Sequence, residues 1–363
     1  MAYSDEKAFK GHIASKKYNN IYVVFGGEKY LVKHYTNLLI KNVAGETPDE
    51  FAFHEFTKEV DLQELSVAIG AVAFTAPCNC VVVYDYDINK LDKADFDALK
   101  SVVLNVPDTT VIIFSYPTFD TAAKKEKAEK EDGKPNRDKF KPFCDAVVKA
   151  KGEVFELSER DAVALEHQLA KWADKSGKKL SLPVASKIIY YCGTNLQTLK
   201  NELDKLIAYT GEREEIDIKD VEKIVVKKLE AKIFDLMDFV ILGNLDKAYG
   251  MLYKLFALKE DPRTIVRLLG NSYVDIYRAR VTSESGGNMK DTADFFKYGN
   301  RAWVLNKIKA KAERLSTNAI RRSMAEILEL SARLNTVTLN EEAEVLKLIA
   351  KLTLIAKEEL QYA

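Results

Sequence analysis

The residues Phe25-Gly26-Gly27-Glu28-Lys29-Tyr30-Leu31 close a short β-rich run at residues 22–25. In a nucleotide-binding α/β domain, the loop after the first strand is where phosphate is cradled. A P-loop needs two glycines separated by four residues, then Lys and Ser or Thr, so that backbone amides and the Lys amine meet the phosphates. Here no Gly-Lys-Ser/Thr follows, and Glu28 would repel a phosphate. The segment reads instead as a tight strand-to-helix turn, with Glu28 favourable at the helix N-terminus. Asp85 and Asp87 follow the apolar residues 81–84. An acidic residue placed there in a working NTPase holds Mg²⁺ through water, but without the phosphate loop it has nothing to complete. Both read as solvated strand-end carboxylates. His12, His34, His54 and His167 are scattered, and Cys78-Asn79-Cys80 lacks the two-residue gap of a zinc pair, with only the isolated Cys144 and Cys192 beyond it. No Gly-x-Ser-x-Gly elbow occurs. These residues advertise neither catalysis nor a metal, and no cofactor is expected.

Two other stretches suit binding better than chemistry. Ala71-Val72-Ala73-Phe74-Thr75-Ala76-Pro77 is apolar, with one large aromatic and a proline, between a helix and an apolar run. Phe74 packing under a sheet is the plain reading; a protruding plug for a partner's pocket is the functional one. Residues 301–322 carry Arg301, Lys307, Lys309, Lys311, Arg314, Arg321 and Arg322 against the single acid Glu313. Such a run could face phosphates. It could equally be a solvated helix face balanced by Glu326, Glu329, Glu341, Glu342 and Glu344.

The elements that must position these residues follow from pattern and size. A chain of 363 residues suggests two or three domains of roughly 100–200 residues each. With 47% hydrophobic and 30% charged residues, it is neither disordered nor fibrous. Lys+Arg and Asp+Glu number 55 each, so affinity for nucleic acid would need a local patch. Four cysteines fit a reduced compartment better than a disulfide framework. The polar start MAYSDEKAFKGH is unlike a secretory signal, and no apolar run approaches the ~18–20 residues that span a bilayer. A soluble cytoplasmic protein is expected.

Residues 22–25, 51–56, 80–84 and 110–114 read as strands, and residues 28–43, 62–73 and 93–104 as helices, the second beginning after an Asp61 cap. That alternation predicts a parallel sheet with crossover helices. Residues 122–141 are rich in Lys and acidic residues, as in a solvated, flexible insertion; a DNA-contacting loop is the alternative. From Ser158 the strand signal disappears. A capped start at Ser158-Glu159-Arg160-Asp161 leads to helices at 165–176, 182–191, 195–208 and 218–226, the last opening near Asp217 and Asp220. A helical block follows from about residue 231, interrupted near Gly243, Asp261-Pro262 and Ser285-Gly286-Gly287.

In this order, four blocks resemble the delta subunits of the bacterial DNA polymerase III clamp loader. The first is a strand followed by Gly26-Gly27-Glu28-Lys29-Tyr30-Leu31, similar to that family's Gly-x-Glu-x-x-Leu opening. The second is Ala73-Phe74 before a strand, in the place of a small-x-Leu-Phe element. Residues 193–206, GTNLQTLKNELDKL, are close to the family's Gly-Asn-Asp-Leu-x-x-Leu-x-x-Glu-Leu-x-Lys-Leu helix. Residues 233–238, IFDLMD, with 243–248, GNLDKA, look like the start of its C-terminal domain.

The resemblance implies an AAA+-like α/β domain without a functional ATP site (residues 1–152), a helical lid domain (153–229) and a helical collar domain (230–363). It implies binding to the beta sliding clamp to help open its ring, and joining gamma/tau and delta prime through the collar around primed DNA. Phe74 would then be the anchor entering a clamp pocket, flanked by Ala71, Val72 and Ala73. The family usually has a large Leu where Ala73 stands, so contact worth about 1–3 kcal/mol is absent there. Lys307, Lys311, Arg314, Arg321 and Arg322 are the candidate DNA-facing patch. A helical scaffold or adaptor and an active AAA+-type ATPase are the alternatives.

Overall fold

The computed structural model describes residues 3–15, 17–58, 60–73, 76–118 and 139–362, with side chains to residue 358. Phe74 and residues 122–138 of the charged stretch lie outside the described residues. The chain forms two compact units, Met1–Glu159 and Arg160–Ala363.

The first unit runs α1 (Glu6–Ser15), β1 (Ile21–Phe25), α2 (Lys29–Ala44), β2 (Phe53–Thr57), α3 (Leu62–Gly70), β3 (Asn79–Tyr84), α4 (Lys93–Leu104), β4 (Thr110–Ser115), α5 (Phe140–Lys149) and β5 (Glu153–Glu156). The strands form one sheet in the order β2-β3-β4-β1-β5, with every pairing parallel. All of β1 and β4 is buried, as is β3 up to its last residue. Strands apolar on both faces need helices on both sides. One side is filled by Leu65, Leu99 and Phe143, from α3, α4 and α5, against Val23, Val81, Ile112 and Phe114. On the other, Phe9 of α1 lies edge-on to Phe155 at 4.3 Å and tilted to Tyr35 of α2 at 4.9 Å. There a buried Thr36 hydroxyl meets that of Ser115 at 2.7 Å.

Three elements of this unit had no clear signal in the chain: α1, α5 and β5. The helix α1 buries only Phe9. The strand β5 is four residues long, yet it pairs with β1 and buries Val154 and Phe155. It carries the first unit to Glu159, past the boundary expected at 152.

The second unit comprises α6 (Ala162–Lys175), β6 (Lys179–Leu180), α7 (Leu182–Cys192), α8 (Leu196–Thr210), β7 (Glu215–Ile216), α9 (Ile218–Ile224), α10 (Leu229–Ile241), α11 (Leu245–Ala257), α12 (Pro262–Glu284), α13 (Met289–Phe295), α14 (Trp303–Ala312), α15 (Thr317–Thr336) and α16 (Glu341–Tyr362). The pair β6–β7 departs from the all-helical expectation; two-residue strands are too short to show alternation. Helix ends are fixed by the residues that marked them. Gly193, at φ +75°, ends α7, and Asn195 caps α8 by accepting from the Thr198 amide at 2.9 Å. Leu196, Leu199, Leu203 and Leu206 then line the buried face of α8. Asp217 and Asp220 form a reciprocal capping box at α9, and Arg213 donates to both oxygens of Asp220, at 3.0 and 2.8 Å. Gly243, at φ +69°, and the cap Asn244 make the turn between α10 and α11.

The apolar segment at residues 71–78 connects α3 to β3, and two buried polar residues hold its base. Asn79 donates to the Ala68 carbonyl at 2.7 Å and to the Thr110 hydroxyl at 3.3 Å. That hydroxyl donates in turn to the Ile69 carbonyl at 2.8 Å. The last carbonyls of a helix have no partners within it; here the first residues of β3 and β4 supply them. Truncating one member leaves buried partners unsatisfied, so Asn79→Ala is expected to lose about 1–3 kcal/mol of stability. Urea unfolding beside wild type checks this, and an unchanged midpoint would show the clasp to be dispensable.

Candidate functional site

The turn after β1 has no room for a phosphate. Gly26 adopts φ +139°, and a Cβ there would lie 2.2 Å from the Leu157 carbonyl oxygen. The Glu28 amide, which a phosphate cradle would leave free, donates to that carbonyl at 3.0 Å, and the Leu157 amide donates to the Phe25 carbonyl at 2.8 Å. Glu28 is buried at the N-cap of α2. Its side chain makes no capping hydrogen bond to that helix, so the residue closes the turn through its backbone amide.

Asp85 differs from the solvated carboxylate expected. It sits at φ +52° and is partly buried. Its side chain accepts from the amide and hydroxyl of Thr118 at 3.0 and 2.6 Å, while its amide donates to the Ser115 carbonyl. It ties off the end of β4. Among the described residues, no group of His, Cys, Asp and Glu could hold a metal ion, and no helix is long and apolar enough to cross a membrane.

The candidate contact segment leaves α3 at Ala71, whose amide donates to the Ala68 carbonyl at 3.3 Å. Val72 is 61% exposed, an unusual outlay for a valine, while Ala71 and Ala73 are half-buried. Val67, on the outer side of α3, is 75% exposed. The residues that hold this segment, Asn79 and Thr110, escaped the reading of the chain. Their signal was present: each is a polar residue opening an otherwise apolar run.

The basic run does not assemble one cationic face. Lys307 turns its ammonium onto the Tyr190 ring, 3.3 Å from the centroid, with Trp303 at 5.8 Å. The residue is exposed, but burial around its amine, reinforced by Lys187 and Lys311, pulls its pKa down to about 8. Lys311 donates to Asp238 at 2.9 Å and to the Phe234 carbonyl at 3.1 Å. Arg321 reaches the Tyr277 hydroxyl on α12, and Arg322 pairs with Glu358 on α16. Arg314 is exposed.

Comparison with known proteins places this arrangement. Residues 22–132 match the model of the family described as DNA polymerase III, delta subunit, and residues 230–352 match that of the DNA polymerase III delta subunit, C-terminal domain. DNA polymerase III subunit delta of Bacillus subtilis (strain 168) is 23% identical over 286 residues, covering 76% of this chain and 77% of the relative. The probable DNA polymerase III subunit delta of Aquifex aeolicus (strain VF5) is also 23% identical, over 279 residues, covering 74% and 73%. Among solved structures, the Bacillus subtilis DNA clamp loader delta protein superposes with a TM-score of 0.61 at 19% identity, covering 96% of this chain and 99% of that one. The fold is AAA+-like, a parallel α/β unit followed by helices. Its N-terminal and C-terminal parts each match a model of the same family, and the chain belongs to the DNA polymerase III delta-subunit family.

Proposed function

We propose that this chain is the clamp-opening subunit of a bacterial clamp loader, working in the cytoplasm on the beta sliding clamp. The observation that carries this reading is the exposed Val72, between half-buried Ala71 and Ala73, just beyond a buried polar clasp. A contact segment rooted in this way loses little freedom on binding, so more of its contact energy goes into affinity. Phe74 is the anchor of the contact, with Ala71, Val72 and Ala73 around it. To open the ring, the subunit needs only to bind the strained, open clamp better than the closed one. Residues 160–229 serve as the lid and 230–363 as the collar that joins gamma/tau and delta prime. Primed DNA within that complex is the ligand assigned to the basic stretch, where Arg314 is the best-placed contact.

ATP acts on other subunits in this reading. The closed Gly26–Glu28 turn, its amide already bonded to Leu157, argues against an active ATPase. Calorimetric titration of the chain with ATP and Mg²⁺ is expected to give no binding heat; saturable binding would restore the ATPase reading.

The direct test is titration against the organism's own beta clamp without ATP. Phe74→Ala is expected to lose about 2 kcal/mol or more, roughly 30-fold in Kd. Val72→Ser is expected to lose less, about 1 kcal/mol. Unchanged affinity in both variants would move the contact elsewhere, and absence of wild-type binding would favour a scaffold or adaptor.

A further inference from the structure

Lys307 is exposed as a residue, yet its amine lies over the Tyr190 ring of α7, within 3.3 Å of the centroid, with Trp303 at 5.8 Å. Tyr190 packs against the apolar core of the C-terminal helices, and its hydroxyl donates to Asp235 of α10 at 3.1 Å. The acidic groups facing the amine are Asp235 and Asp238, and each already holds another lysine. Lys227 reaches Asp235 at 2.9 Å, and Lys311 reaches Asp238 at 2.9 Å. Lys187, also on α7, lies 3.6 Å from Glu222. Among the described residues, the Lys307 amine has no hydrogen bond or ion pair, and the charges of Lys187 and Lys311 bear on it.

A lysine becomes a nucleophile when its amine is desolvated or set beside other cations, because both disfavour the ammonium. The two conditions meet here, with burial the larger, and the pKa falls to about 8. At pH 7.5 roughly a quarter of such amines are neutral, against about one in a thousand for an ordinary lysine. Trp303 supplies a further group: its buried indole N–H has no hydrogen-bond partner among the described residues.

We propose that Lys307 is a site of covalent acylation by small acyl phosphates. The neutral amine attacks the carbonyl carbon of the donor. A bond forms between nitrogen and carbon as the bond from carbon to the phosphate oxygen breaks. Phosphate departs with the bonding electron pair and takes up the proton that the amine loses. Lys187 and Lys311 favour the approach of an anionic donor, and the amide oxygen of the product is an acceptor of the kind that the Trp303 N–H lacks. The product has no charge, so the cation on the Tyr190 ring, which joins α14 to α7, is lost.

The test is incubation of the full chain with acetyl phosphate between about pH 6.5 and 9.5, followed by peptide mass spectrometry at each lysine. Lys309, exposed on the same helix, is the internal reference. At pH 7.5 Lys307 is expected to react about tenfold faster than Lys309, with a half-maximal rate near pH 8. Tyr190→Leu opens the amine to water and Lys187→Gln removes a like charge. Each is expected to move that midpoint upward and to slow the reaction at pH 7.5. Lys187→Gln leaves the packed ring in place and keeps the test valid where Tyr190→Leu does not fold. Equal rates at Lys307 and Lys309, or a Lys307 rate still climbing at the top of the pH range, would overturn the proposal and leave the clamp-loader reading untouched.

Discussion

Burying β1 and β4 on both faces constrains the first unit more than any other feature. Once such strands lie side by side, helices must cover them above and below, and each chain crossing takes place at a sheet end. The connections at the two ends of the sheet are then where the sequence is least bound by the core. The turn after β1, the tie at Asp85 and the segment before β3 all lie at strand ends. Each has been put to a different use: closed, knotted to β4, and left apolar and open.

The clasp at Asn79 and Thr110 links that core to the apolar connection that carries Val72. A polar side chain inside an apolar sheet is costly unless every bond is made. The Asn79 Nδ2 and the Thr110 hydroxyl spend their donors on the last carbonyls of α3, while the buried Asn79 Oδ1 has no hydrogen-bond partner among the described residues. The end of α3 and the first residues of β3 and β4 are thereby fixed together where the segment that carries Val72 begins.

Much of this was legible in the chain because the informative residues act locally. Gly193 and Asn195 end one helix and cap the next, and the leucines after them follow a helical spacing. Asp217 and Asp220 announce α9 in the same way. The missing phosphate loop was equally plain. What escaped was set by partners far along the chain. The four residues of β5 become a strand only because β1 offers an edge, and α1 is held mainly through one phenylalanine against Phe155. The basic run was visible as charge, but composition could not say that Lys311 is spent on Asp238 or Arg322 on Glu358. Nor could it show that Lys307 reaches the ring of Tyr190 on a helix distant in sequence.

The buried Glu28 at the head of α2 has a further consequence for timing. In a motor subunit the corresponding helix end gains and loses negative charge as nucleotide comes and goes, and the fold around it can follow. Here a carboxyl group of the chain itself occupies this position. The turn is already closed by the chain's own atoms, with the Glu28 amide bonded to the Leu157 carbonyl. In the clamp-loader reading proposed above, a schedule for engaging the clamp would then come from the neighbouring subunits rather than from this turn.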